Sequence, residues 1–286
     1  MCWFKKKKKI KPISKVDLGV QVFMYDDWPQ QLVKAKELPI NRIRTCITNR
    51  NYNQHKISLF LNRCKSLGIG VLATVYDEDD RFNTPAIAEK VARNHCKQND
   101  LYMIEICNEV NAEISPGNKI RIDDYYEIYK DCFSAIREFR QDTHIYPAGL
   151  IASRKADIPG DKYLKKLIKL GIVNYIEDPI RQSAWNLHYY YEQWNEAEAT
   201  VRLIRGSSAA EIYCTESGCA VSRSVSEQQA WYARAKRECY RLGISQLMIY
   251  GLLHAGNPMN PADDFALLNE DMSERGMFKY IQEVGL

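Results

Sequence analysis

Glu109 and Glu216 each stand directly after a short apolar, β-rich run: Tyr102 to Cys107 precedes Asn108-Glu109, and Glu211 to Thr215 precedes Glu216-Ser217-Gly218. A carboxylate at the end of an apolar strand is costly to bury unless it is paired or hydrogen-bonded, so its presence asks for a reason. Two such groups suit acid/base chemistry. In glycoside hydrolysis one acid protonates the departing oxygen, while a second carboxylate attacks the anomeric carbon or activates water. A pair of structural salt bridges is the other use of such residues. In Leu187-His188-Tyr189-Tyr190, residues two apart share a strand face, so His188 and Tyr190 point inward together and Tyr189 points away. Trp28, Trp185 and Trp194 lie near other strand ends, where flat faces either stack on sugar rings or pack in the core.

These residues need a scaffold that brings strand ends together. After residue 15 the chain alternates β-rich apolar runs with amphipathic stretches, the pattern of parallel strands joined by helices. Eight strands are expected: Asp17 to Met24, Asn41 to Ile47, Gly70 to Val75, Tyr102 to Cys107, His144 to Leu150, Asn186 to Tyr189, Glu211 to Thr215 and Gln246 to Gly251. Helical periodicity follows each, over Gln30 to Lys36, Lys56 to Leu67, Thr84 to Gln98, Ile122 to Arg140, Lys162 to Leu170, Glu192 to Ile204, Val225 to Leu242 and Ser273 to Val284. The count gives a closed (β/α)8 barrel, the TIM-barrel architecture, as one unit over residues 16–286. An open doubly wound sheet would want a glycine-rich phosphate turn after the first strand, and Gly19-Val20-Gln21 supplies none. Gly68 and Gly243 are placed to cap helices at the bottom of the barrel; chemistry belongs at the top, where strands end.

Of 286 residues, 45% are hydrophobic and 27% charged, enough to build a core without disulfides. The net charge of +4 is a tail effect: without the five charges of Lys5–Lys9 the remainder stands near −1. Residues 1–15 are expected to be a basic, disordered terminus, and the near-neutral body argues against nucleic-acid binding. No run has the length of a membrane span, and the opening residues do not form a secretory signal. Nine scattered cysteines without a CxxC pair read as buried free thiols of a reducing compartment, with cytoplasmic location as the default. No metal site or cofactor is expected, and the acidic stretch Asp77-Glu78-Asp79-Asp80 reads as solvated, with contact to substrate or a cation as the lesser alternative.

The strand-four Asn108-Glu109 and the strand-seven Thr215-Glu216-Ser217-Gly218 resemble the two signatures of glycoside hydrolase clan A, the superfamily of cellulases, mannanases and related retaining enzymes. The resemblance runs over Val16 to Leu286, although beyond a few strand ends it is one of architecture. It implies that Glu109 is the acid/base, that Glu216 is the nucleophile and that Asn108 binds a sugar 2-hydroxyl. It further implies that Arg44, in Ile40-Asn41-Arg42-Ile43-Arg44, bonds the nucleophile, and that His188 and Tyr190 are its His-x-Tyr. The chain departs from the clan in Met248-Ile249-Tyr250-Gly251, where Tyr250 stands in place of the usual tryptophan floor.

The expectation is therefore a retaining glycosidase acting on a β-linked oligo- or polysaccharide, with Trp28, Trp185 and Tyr250 supporting the substrate. A catalytically silent carbohydrate-binding or structural barrel is the alternative. A phosphate-handling lyase or isomerase would want a glycine-rich anion site or a strand-end lysine, and Gly218 alone is weak support for it. Three consequences follow from the first reading. Arg44, Asn108, Glu109, His188, Tyr190 and Glu216 should share one barrel mouth; the backbone should leave strand geometry at Asn108-Glu109; and Glu109 should hold its proton to higher pH than Glu216.

Overall fold

The computed structural model describes residues 13–112, 120–152, 158–190, 194–253 and 265–286. Its elements are β1 (Asp17–Gln21), α1 (Trp28–Glu37), β2 (Arg42–Thr48), α2 (Gln54–Ser66), β3 (Gly70–Tyr76), α3 (Thr84–Val91), α4 (Lys97–Asn99), β4 (Met103–Ile106), α5 (Ile122–Phe139), β5 (His144–Pro147), β6 (Leu150–Ile151), α6 (Gly160–Leu170), α7 (Val173–Ile176), β7 (Ala184–His188), α8 (Trp194–Ser207), β8 (Glu211–Ser217), α9 (Val225–Leu242), β9 (Gln246–Ile249) and α10 (Gly276–Val284). The strands pair in parallel in the order β5-β4-β3-β2-β1-β9-β8-β7-β6. The two ends of that order, β5 and β6, are parted in the chain only by Ala148 and Gly149, so the sheet closes on itself. Ile145 N donates to Ser183 Oγ at 2.8 Å, tying β5 to the residue before β7. The expected fifth strand is thus one strand in two pieces, and the fold is the (β/α)8 barrel.

Local chemistry explains where the helices start and stop. Asn53 accepts from Lys56 N at the head of α2, and Ser224 with Glu227 forms a capping box at the head of α9. Pro29 and Pro85 sit in the first turns of α1 and α3, where a missing N–H costs nothing. Gly68 and Gly243 take φ of 69° and 71°, as their places after α2 and α9 require. The expected helix over Thr84 to Gln98 is a composite, α3 and α4 joined through a π-helical turn at Ala92–Cys96.

Apolar residues divide between two places. A large cluster fills the shell between strands and helices; Ile43, Ile104, Ile145 and Ile212 meet helix residues such as Phe60, Tyr129 and Phe278 there. A smaller cluster of Leu72, Tyr146, Ala184, Tyr213 and Met248, with Met103 against it, plugs the barrel interior. Ile104 and Ile106 face the helices, whereas Met103 and Glu105 on the same strand face the barrel axis. Eight described cysteines are free thiols, Cys46 half-buried and the others buried. No helix among the described residues is long and apolar enough to cross a membrane. Residues 1–12 of the expected tail lie outside the described residues; Ile13 already packs against the core.

Candidate active site

β4 ends at Ile106, and the chain then turns through Cys107 at φ 65° and Glu109 at φ 43°. Both lie in the left-handed region that side chains disfavour, so neighbours must hold them there. Cys107 N bonds Val75 O at 2.9 Å and Glu109 N bonds Gly149 O at 3.1 Å. With the strand period broken, adjacent Asn108 and Glu109 both line one cavity. On the far side of the barrel, β8 shifts register against both neighbours, and Glu216 enters the same cavity.

Arg44 is fully buried on β2 and organises the floor of this mouth. Its Nε donates to Glu105 Oε2 at 2.8 Å, one terminal nitrogen to Gln21 Oε1 at 2.8 Å and to Glu216 Oε1, and the other to Asn108 Oδ1 at 2.7 Å. Tyr190 Oη donates to Glu216 Oε2 at 2.6 Å. His188 Nδ1 lies 2.8 Å from Glu109 Oε1 and 3.4 Å from Glu216 Oε2. A carboxylate oxygen of Glu109, one of Glu216 and a ring nitrogen of His188 all lie within 4.8 Å of one another. That spacing also suits metal ligands, but the Arg44 guanidinium bonded to Glu216 opposes a second cation beside it.

The two carboxyls differ in proton affinity. Burial drives Glu109 above the ordinary glutamate value; the nearby Glu216 charge adds to this and the His188 bond acts against it. Burial works on Glu216 as well, yet His188, Arg44 and the Tyr190 hydroxyl together hold it below that value. His188 loses by burial and gains more from Glu216 and Glu109, so it binds its proton more tightly than a free imidazole.

The cavity measures about 420 Å³, and Gln21, Phe23, Tyr25, Cys46, Tyr76, Glu78 and Tyr250 complete much of its wall. Tyr250 meets Tyr190 edge-on at 6.1 Å and Phe23 edge-on at 6.0 Å, which places it at the cavity beside the two carboxyls. Arg44, Asn108, Glu109, His188, Tyr190, Glu216 and Tyr250 are thus brought together. Trp28 and Trp185 are not. Trp28 packs edge-on against Phe60 of α2, and Trp185 lies in the shell between strands and helices, 2% exposed. The period that turns His188 inward turns Trp185 outward. Trp194 is likewise buried, against Tyr189 at 4.5 Å. The acidic stretch is also not uniformly solvated: Asp77 is buried and accepts from Asp79 N and Asp80 N, while Glu78 reaches the cavity.

Besides the cavity-wall residues Phe23, Tyr25, Cys46 and Tyr76, three residues of the site are not evident from the sequence. Glu105 was absorbed into an apolar strand, although a charge flanked by Ile104 and Ile106 is the mark of an inward-facing polar position. Gln21 was passed over in the same way. Gly149 left no signal: a Cβ there would fall 2.0 Å from His188 Nε2.

No protein-family model and no curated protein sequence matches the chain. Solved structures do. A glucosidase from Croceicoccus marinus superposes with TM-score 0.70 at 13% identity, over 96% of this chain and 69% of that one. The exo-beta-1,4-mannosidase Op5Man5 from Opitutaceae bacterium strain TAV5 gives 0.70 at 12%, over 94% of this chain and 59% of that one. A beta-glucosidase from Thermotoga maritima gives 0.67 at 11%, over 95% and 97%. At such identities the likeness is one of fold, and the chain shares the barrel of these glycosidases.

Proposed function

We propose that the chain is a retaining glycosidase that cleaves a β-linked glycan or glycoside, with Glu109 as acid/base and Glu216 as nucleophile. The observation that carries this reading is the pair of buried carboxyls at one mouth, with oxygens within 4.8 Å and proton affinities displaced in opposite directions. A retaining pair needs carboxyls ~5 to 5.5 Å apart, whereas an inverting pair needs ~6.5 to 9.5 Å to admit a water between.

In the first step the Glu109 proton passes to the glycosidic oxygen and a Glu216 oxygen bonds the anomeric carbon as the alcohol departs. In the second, Glu109 takes a proton from water, which displaces Glu216 from that carbon. Arg44 and Tyr190 bond the two oxygens of Glu216 and aim it. Asn108 commits its carbonyl oxygen to Arg44, which leaves its Nδ2 to donate to a sugar hydroxyl. Tyr250 and Phe23 offer ring faces and edges to the sugar. The solved relatives, named as glucosidases and an exo-mannosidase, support a carbohydrate substrate.

A panel of chromogenic β-glycosides and β-linked polysaccharides, run beside the Glu216→Gln protein, tests the proposal. Turnover on at least one substrate that falls by ~10³-fold or more in the variant is expected. Binding of glycans without glutamate-dependent turnover would favour the silent barrel instead.

A further inference from the structure

Glu105 has no part in the reaction as described, yet it is the most completely enclosed carboxylate of the site. Its side chain is 0% exposed. Three donors fix it: Arg44 Nε at 2.8 Å and Thr74 Oγ1 at 2.7 Å on Oε2, and Gly149 N at 2.7 Å on Oε1. They come from β2, β3 and the break between β5 and β6, so the carboxylate is held from three sides. Glu105 Oε1 lies 3.9 Å from His188 Nε2, while the other ring nitrogen, Nδ1, bonds Glu109 at 2.8 Å. One imidazole therefore stands between Glu105 and Glu109.

The charges then count as follows. Arg44 supplies one cation and touches two carboxylates, Glu105 and Glu216. Glu105 balances that cation from below, and the Glu216 charge is left without a full partner next to Glu109. A buried site with an uncompensated anion draws a proton. The groups within reach of it are Glu109 and His188, which already share a hydrogen bond. Were Glu105 neutral, Arg44 would balance Glu216 alone, and the reason for a proton to stay on Glu109 would weaken.

We propose that Glu105 is a positioning residue whose charge, acting through Arg44 and His188, keeps Glu109 protonated and hence able to act as the acid. The proposal rests on the reading of Glu109 and Glu216 as the catalytic pair. Burial and the Glu216 charge also raise Glu109, while the further titratable groups around it do not supply this effect. Tyr190 and Tyr250 are driven by burial to hold their protons beyond the working range, and Glu78 across the cavity pairs with Arg50 at 3.4 Å.

The test is Glu105→Gln, which removes the charge at nearly constant shape, with kcat/KM followed against pH. The protonated Glu109 is the active form, so a fall in its proton affinity moves the alkaline limb downward. A shift of about one unit is expected, the scale of one charge felt across a few ångströms of protein. Glu105→Asp keeps the charge, so its alkaline limb should stay within a few tenths of a unit of the parent while kcat falls. A Gln variant with reduced kcat and an unmoved limb would overturn the proposal, and so would an Asp variant displaced as far as the Gln one. Should the Gln protein fail to fold, a displaced alkaline limb in the Asp protein still overturns the proposal. Carbon-13 NMR titration of the Glu109 carboxyl, assigned with Glu109→Gln, reads the same shift without turnover. A chain that hydrolyses no glycoside but shows that NMR shift would refute the catalytic reading and leave the electrostatic role of Glu105 standing.

Discussion

Arg44 bonds Glu216 and Asn108 toward the cavity and Glu105 toward the barrel floor, while burial raises the proton affinity of Glu109 and His188, Arg44 and Tyr190 hold that of Glu216 down. The proposed mechanism needs Glu216 ionised and Glu109 protonated. The acid limb of kcat/KM should therefore fall below the ordinary glutamate range and the alkaline limb above it, giving a bell-shaped profile. Glu109→Ala should lose ~10²- to 10⁴-fold on substrates with poor leaving groups and far less on nitrophenyl glycosides, which need little protonation. Equal losses on both, measured as kcat/KM, would remove Glu109 from the role of acid. Much of this site was legible in the sequence, because Asn108-Glu109, Glu216 and His188-x-Tyr190 sit where strands end. Glu105 was not, since a single charge inside Met103 to Ile106 leaves the strand pattern intact and its three donors come from elsewhere in the chain.

The elements were legible wherever period and caps agreed. Gly68, Gly243 and the Ser224–Glu227 capping box ended or began helices at the expected places. The break at Ala148-Gly149 was not legible, and the His188 ring that lies against Gly149 there comes from another strand. Gly149→Ala should push that ring off Glu109 and cost ~1–3 kcal/mol of stability. Its activity should fall more than its melting temperature implies; an unaltered kcat would show that His188 is not held by this approach. A second element-level test uses His95, buried in the π-helical turn beside Tyr52, whose pKa burial pushes down to about 4. The unfolded chain takes up a proton near pH ~6.5 that the folded chain refuses until about 4, so stability should decline as pH falls through that window. The difference between parent and His95→Gln, from denaturant unfolding at each pH, should change by ~1–3 kcal/mol across the window and stay constant above it.

At the scale of the molecule, the barrel assigns each aromatic to one of two environments. Trp185 faces the helices and Tyr250 faces the cavity, a difference that strand parity settles and proximity to a strand end does not. Trp185→Ala should cost ~3–5 kcal/mol of stability, whereas Tyr250→Ala should leave the melting temperature nearly in place and raise KM. The reverse pattern would contradict a cavity lined by Tyr250. The central claim, that Glu216 attacks carbon and does not activate water, is read most directly from the product itself. Proton NMR of the first sugar released from a β-glycoside, recorded before mutarotation, should show the β anomer. Initial appearance of the α anomer would contradict retention and make Glu216 a general base.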